Sequence, residues 1–214
     1  QDAADALVSH AGTVVIAGCG HHHFYFRGSQ PEALKPKNFQ ERFMSGAVLQ
    51  DVVLAPALKQ RDDMGRLVAL TWHGTGFDAG TARDRWLVAV DGSRGSLRAV
   101  EMVIRLSAFE QGAGVDLVHV ESWLNKEAAE TELVRHGWAV MTTARQLLDA
   151  SHIHWRLYAL MGDGAPQIAS LADQLGSRGI AIGSRGLTAA ESVLLGSVAS
   201  KVVHLARTAV LIVR

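Results

Sequence analysis

The most chemically legible feature of the chain is a pair of glycine clusters at fixed spacing. Gly183-Ser184-Arg185-Gly186 is followed, after nine residues, by Gly196-Ser197. Glycines at 183 and 186 let the backbone approach an anion with no Cβ in the way. Successive N–H groups in such a loop form an anion-binding concavity. Ser197 is placed to cap a following helix with its hydroxyl, and that helix start adds unpaired N–H groups and a positive dipole end. Phosphate is the natural guest. A Walker A loop is excluded, because no Gly-Lys pair occurs in the sequence.

Other residues could also do chemistry. The apolar run Leu87-Val88-Ala89-Val90 closes on Asp91-Gly92-Ser93. This puts an acid at the carboxyl end of a strand, where open α/β sheets bind ligands; the alternative is a turn or helix-capping acid. His119 lies in an apolar strand and reads as a hydrogen-bonded core histidine. Cys19 with His21, His22 and His23 makes a soft-ligand cluster suited to Zn²⁺. Successive side chains of an extended chain diverge, however, so a solvated turn is the better reading. Gly18-Cys19-Gly20 lacks the third glycine of a dinucleotide fingerprint, since His23 stands there. No G-x-S-x-G elbow is visible.

These groups need a scaffold, and from Trp86 onward the sequence alternates strand and helix. Strands are expected at Leu87–Val90, Val115–Val120, Ile153–Leu160, Gly179–Ile182 and Ala209–Val213. Helices are expected around Leu97–Ala108, Glu127–Ala150, Pro166–Leu175 and Ser197–Ala206. Their inner faces repeat at helical spacing, as in Leu133, Val140, Ala144 and Leu147. Such alternation implies a parallel, doubly wound α/β sheet. Residues 1–84 form a separate region. Thr13–Ala17 and Leu67–Leu70 look like strands there, and Ala47–Leu54 is helix or strand.

With those elements in place, residues 85–214 resemble the universal stress protein family, in its ATP-binding branch. The resemblance rests on Leu87–Ser93, on Leu117-Val118-His119-Val120, on Gly162-Asp163 followed by Ile168, on the split glycine motif, and on Lys201–Val213. It departs at Arg178-Gly179, at Pro166 and at Arg207-Thr208, none of which touches the glycine loop. The resemblance implies a five-stranded, Rossmann-like parallel sheet of order 3-2-1-4-5. It implies ATP or AMP, with Mg²⁺ or Mn²⁺, bound across the first and fourth strands. Carried over by position, Ala89, Val90 and Asp91 would contact the adenosine end. Val120 would meet the adenine. Gly183, Arg185, Gly186, Gly196, Ser197 and Val198 would surround ribose and phosphates. It further implies antiparallel pairing of the last strand between two subunits.

Composition narrows the rest. Hydrophobic residues are 48% and charged residues 20% of 214, which excludes a disordered chain. Lys+Arg and Asp+Glu are both 21, so a general nucleic-acid coat is disfavoured. No apolar run approaches a membrane span, and no basic segment followed by an apolar one marks a signal peptide. One cysteine fits a reducing, cytoplasmic setting. Ala3–Ala17 reads as helix then strand, similar to the last helix and fourth strand of such a domain. Residues 1–84 are thus either the remnant of a first domain or an unrelated α/β extension. The expected function is nucleotide-dependent regulation in the stress response, with slow ATP hydrolysis at most. The rivals are an adenine-nucleotide hydrolase or adenylyl-transfer enzyme, and a nucleotide-free interaction module. Ala209–Val213 is apolar and uncharged, and as an edge strand it would pair with its own copy in a homodimer.

Overall fold

The computed structural model describes residues 15–17, 55–74, 85–107, 114–187 and 195–214. Ala47–Leu54, His10 and the Cys19/His21–His23 cluster lie outside them. The strands are β1 (Val15–Ala17), β2 (Leu58–Arg61), β3 (Leu67–His73), β4 (Trp86–Ala89), β5 (Gly114–Glu121), β6 (His154–Met161), β7 (Gly179–Gly183) and β8 (Ala209–Val213). The described helices are α1 (Arg94–Ser107), α2 (Lys126–Ala150), α3 (Gly164–Leu175) and α4 (Ser197–Leu205).

The eight described strands join one sheet in the order β1-β8-β7-β4-β5-β6-β3-β2. Neighbours from β6 through β8 pair in parallel. The three strands from the first 84 residues pair antiparallel. The sheet is therefore mixed and wider than the five parallel strands expected. The reason is that an apolar sheet edge exposes unpaired N–H and C=O groups, and the preceding segment supplies strands to cover both edges. Ala209–Val213 is thus not an edge. β1 lies along it with Ile16 opposite Leu211, so the homodimer expected through this strand meets an occupied surface.

On the far side, β2 is exposed along its whole length and carries Lys59 and Arg61, with a register break between Gln60 and Arg61. Its turn into β3 is locally encoded. The Asp62 carboxylate accepts the N–H groups of Met64 and Arg66 at 3.0 and 2.9 Å, an Asx-type closure. Gly65 takes the left-handed φ of 72° that the turn requires.

Helices cover both faces. α1 and α2 bury Val100, Val103, Leu133, Met141 and Leu148 against Val88 and Leu117. α3 and α4 bury Ile168, Leu171 and Val202 against Leu87 and Ile180. Each such aliphatic side chain contributes about 1.5–3 kcal/mol. α2 passes into β6 through His152, a non-glycine residue at φ 55°.

An ion cluster lies under the amino ends of β4, β5 and β6. Asp116 is wholly buried and accepts Arg156 Nε and Nη2 at 2.6 and 2.5 Å, with Arg85 Nη1 at 3.5 Å. Burial opposes the charge of Arg156, but the Asp116 hydrogen bonds and charge win and raise its pKa. Burial, and then the Asp116 charge, push the Tyr158 hydroxyl up to about 12. The cluster sits at the end of the strands opposite to Asp91, so it belongs to the framework.

Candidate functional site

Chain direction reverses between β4 and β7. From β4 the chain winds outward to β5 and β6, then returns to β7 and β8 on the other side. That reversal opens a crevice at the carboxyl ends of the two strands, the usual ligand position in open α/β sheets. Asp91 follows β4 there, and the first glycine cluster follows β7.

The Asp91 carboxylate is held by backbone. Ser93 N–H donates to Oδ1 at 2.9 Å, and Leu187 N–H donates to Oδ2 at 3.2 Å. The second bond ties the turn after β4 to the loop after β7. Burial works against the charge, but the bonds from Ser93, Ser96 and Leu187 prevail and hold the carboxyl below its ordinary range. Ser93 also starts α1: its hydroxyl accepts Ser96 N–H at 3.1 Å, and Ser96 Oγ donates back to the Ser93 carbonyl at 2.9 Å. This reciprocal cap fixes where α1 begins.

The glycines have distinct tasks. A Cβ on Gly183 would fall 2.6 Å from the Gly95 carbonyl carbon, and one on Gly95 would fall 2.6 Å from the Arg185 carbonyl oxygen. These two glycines let α1 press its first turn against the loop. A Cβ on Gly186 would fall 2.6 Å from Asp91 Oδ2. Among the described residues Gly196 has no such neighbour, its nearest being the Ser184 carbonyl at 3.4 Å. Fold packing therefore does not demand glycine at 196.

The two glycine clusters do converge. Gly196 N–H donates to the Ser184 carbonyl at 2.7 Å, and Ser184 N–H donates to the Val213 carbonyl at 2.7 Å. Ser184 thus clamps the loop between β8 and the start of α4. Gly196, not Ser197, is the N-cap of α4, and among the described residues no side chain caps the helix. Ser197 occupies the first helical position, so the expected hydroxyl cap does not form. The first N–H groups of α4 have no partner within the helix, as at any helix start. Val198 is exposed and lies against Gly164 at the start of α3.

At the other side of the crevice, Ala89 is buried, and Val90 N–H donates to the Val118 carbonyl at 2.8 Å. His119 is a buried, hydrogen-bonded residue: its Nδ1 lies 2.9 Å from the Val90 carbonyl. A carbonyl can only accept, so Nδ1 carries the proton. Nε2 faces Glu121 at 3.4 Å, and His136 Nδ1 faces the same carboxylate oxygen at 3.5 Å. Val120 is half-buried next to this group. Among the described residues no cluster of three or more His, Cys, Asp or Glu is arranged to hold a metal.

The sequence profile of the universal stress protein family matches residues 82–214. The chain belongs to the universal stress protein family. It is 28% identical over 151 residues to universal stress protein YxiE of Bacillus subtilis (strain 168), an alignment that covers 61% of this chain and 99% of that protein. Its fold is similar to that of a universal stress protein in complex with cAMP, at TM-score 0.52 and 23% identity, over 62% of this chain and 98% of the other. It is also similar to the universal stress protein of Archaeoglobus fulgidus in complex with dAMP, at TM-score 0.50 and 19% identity, over 62% and 99% of the two chains. Among the described residues no helix is long and apolar enough to cross a membrane.

Within this universal stress protein three contributing residues carry no spacing signal. Gly95 has a role only because α1 packs on the loop. Glu121 and His136 meet only because α2 crosses β5. Asp116 and Arg156 do carry a signal, as charges interrupting apolar strands.

Proposed function

We propose that the chain binds an adenine nucleotide in the crevice between β4 and β7 and works by nucleotide occupancy. In this reading the backbone at Ala89, Val90 and Asp91 meets the adenosine end, and Val120 lines the adenine. Gly183, Arg185, Gly186, Gly196, Ser197 and Val198 surround ribose and phosphates. The observation that carries it is the joining of three segments at one place. Asp91 binds the loop at Leu187 N–H, and Gly196 binds the same loop at the Ser184 carbonyl. In this reading the start of α4, whose first N–H groups have no partner within the helix, meets the phosphate chain beside the glycine loop. The complexes of stress proteins with cAMP and dAMP support an adenine ligand.

ATP is the preferred form in this proposal, with AMP as the smaller rival. The donors are neutral N–H groups, so Mg²⁺ or Mn²⁺ would enter on the triphosphate to offset its charge. A regulatory role is proposed in preference to rapid turnover; among the described residues the Asp91 carboxylate, which touches the loop, is spent on backbone N–H groups. The cytoplasm and the stress response are the setting proposed. Mass spectrometry of nucleotide released from the purified protein, with titration calorimetry, tests the reading. Adenine nucleotide in the released fraction and heat with Mg-ATP are expected. No released nucleotide, and no heat with either ATP or AMP, would overturn it.

A further inference from the structure

Residues 4–17 align with residues 199–212 without a gap. Ala4 matches Ala199, Val8 matches Val203, Ala11 matches Ala206, Thr13 matches Thr208 and Val15 matches Val210. Apolar character is kept at Leu7 and Val202 and at Ile16 and Leu211. The second segment covers most of α4 and most of β8, so β1 is the sequence counterpart of the terminal strand.

The pairing of β1 with β8 has a matching symmetry. Val15 faces Ile212, Ile16 faces Leu211 and Ala17 faces Val210. By the alignment, the counterparts of Val15, Ile16 and Ala17 are Val210, Leu211 and Ile212. Ile16 therefore faces its own counterpart, and the flanking pairs exchange about it. A two-fold axis between two copies of one strand produces this relation, in which residue i meets j and j meets i. Any antiparallel register of two matching strands keeps this reciprocity; the register found here sets its centre at Ile16 and Leu211.

We propose that β1 stands in, within the chain, for the terminal strand of a second copy, and so closes the edge by which two copies of β8 would join. The surface along β8 is a strand-pairing site for a strand of its own kind. The chain fills that site itself. A tethered strand acts at an effective concentration of order mM. It therefore outcompetes a second molecule at micromolar concentration, and the intact protein stays monomeric. This inference does not rest on nucleotide binding.

Analytical ultracentrifugation of the full chain and of an Ile16→Pro variant tests it. Proline removes an N–H and blocks strand pairing. Circular dichroism first establishes that the variant is folded. A monomeric wild type and a variant that dimerises as concentration rises are expected. A wild type that dimerises at low micromolar concentration overturns the proposal, and so does a folded variant that stays monomeric at high concentration. A second measurement decides the matter if the variant does not fold. In a Cys19→Ser background, Val15→Cys with Ile212→Cys should oxidise to a disulfide within one chain. A crosslink between chains, or two free thiols after oxidation, overturns it.

Discussion

The Asp91 carboxylate occupies the space that a side chain on Gly186 would need. A Cβ built at 186 lies 2.6 Å from Asp91 Oδ2, while the next N–H, that of Leu187, donates to the same oxygen at 3.2 Å. Glycine and acid, nearly a hundred residues apart, make one joint between the two halves of the crevice. Substitution at 186 therefore moves the acid or the loop.

The glycines should separate by variant. Gly183→Ala strikes the backbone of α1 and should lower stability by about 1–3 kcal/mol, as overpacking does. Gly196→Ala should leave denaturant stability within about 0.5 kcal/mol, since its Cβ finds only ordinary contacts. Under the proposed function the same variant should weaken Mg-ATP binding at least about tenfold, or 1.4 kcal/mol. Gly186→Val should abolish binding while circular dichroism still reports a folded chain. A Gly196→Val protein that binds ATP like wild type would remove the loop from the phosphate site.

Asp91 gives a pH signature. Its folded pKa is depressed, so its contribution to stability is full above the ordinary carboxylate range of about 4. It is lost as pH falls through the lower, folded value. Urea unfolding at a series of pH values should show Asp91→Asn with a shallower acid-side decline than wild type. Equal slopes would count against the backbone bonds as the cause.

Asp116→Ala should cost about 3–5 kcal/mol, because it leaves two guanidinium groups buried without their carboxylate. Asp116→Ala with Arg156→Met should lose less than the two single changes together, as a coupled pair does. Chemical denaturation of the four proteins completes the cycle.

His152→Gly should raise stability by about 0.5–1 kcal/mol. The residue sits at φ 55°, which only glycine adopts without penalty. His152→Val should lower stability, and thermal melts of the pair provide the check.

Much of this was legible in the sequence, and the part that was not has a physical cause. The helices and strands after Trp86 announce themselves through period and punctuation; the helix expected from Glu127 to Ala150 runs from Lys126 to Ala150. The loop glycines were visible because their spacing is rigid. The helix start at Ser197 was legible, but the cap was misread because Ser197 is the stronger capping residue by type, whereas the N-cap is Gly196, held by the bond from its N–H to the Ser184 carbonyl. β2 carried no apolar alternation, because an edge strand exposed along its length has no face to bury. The true neighbour of β8 depends on pairing across nearly the whole chain, which local pattern does not report.

The guarded outer rim at β2 has a colloidal consequence. Lys+Arg and Asp+Glu balance at 21 each, so near neutral pH the molecules repel one another little. Charge repulsion ordinarily keeps sheet proteins apart in concentrated solution. Here that task falls on Lys59, Arg61 and the kink between Gln60 and Arg61, which deny an incoming strand a flat place to add. Neutralising the two basic residues of this four-residue strand should therefore turn a clear stock turbid near pH 7 long before it unfolds the protein.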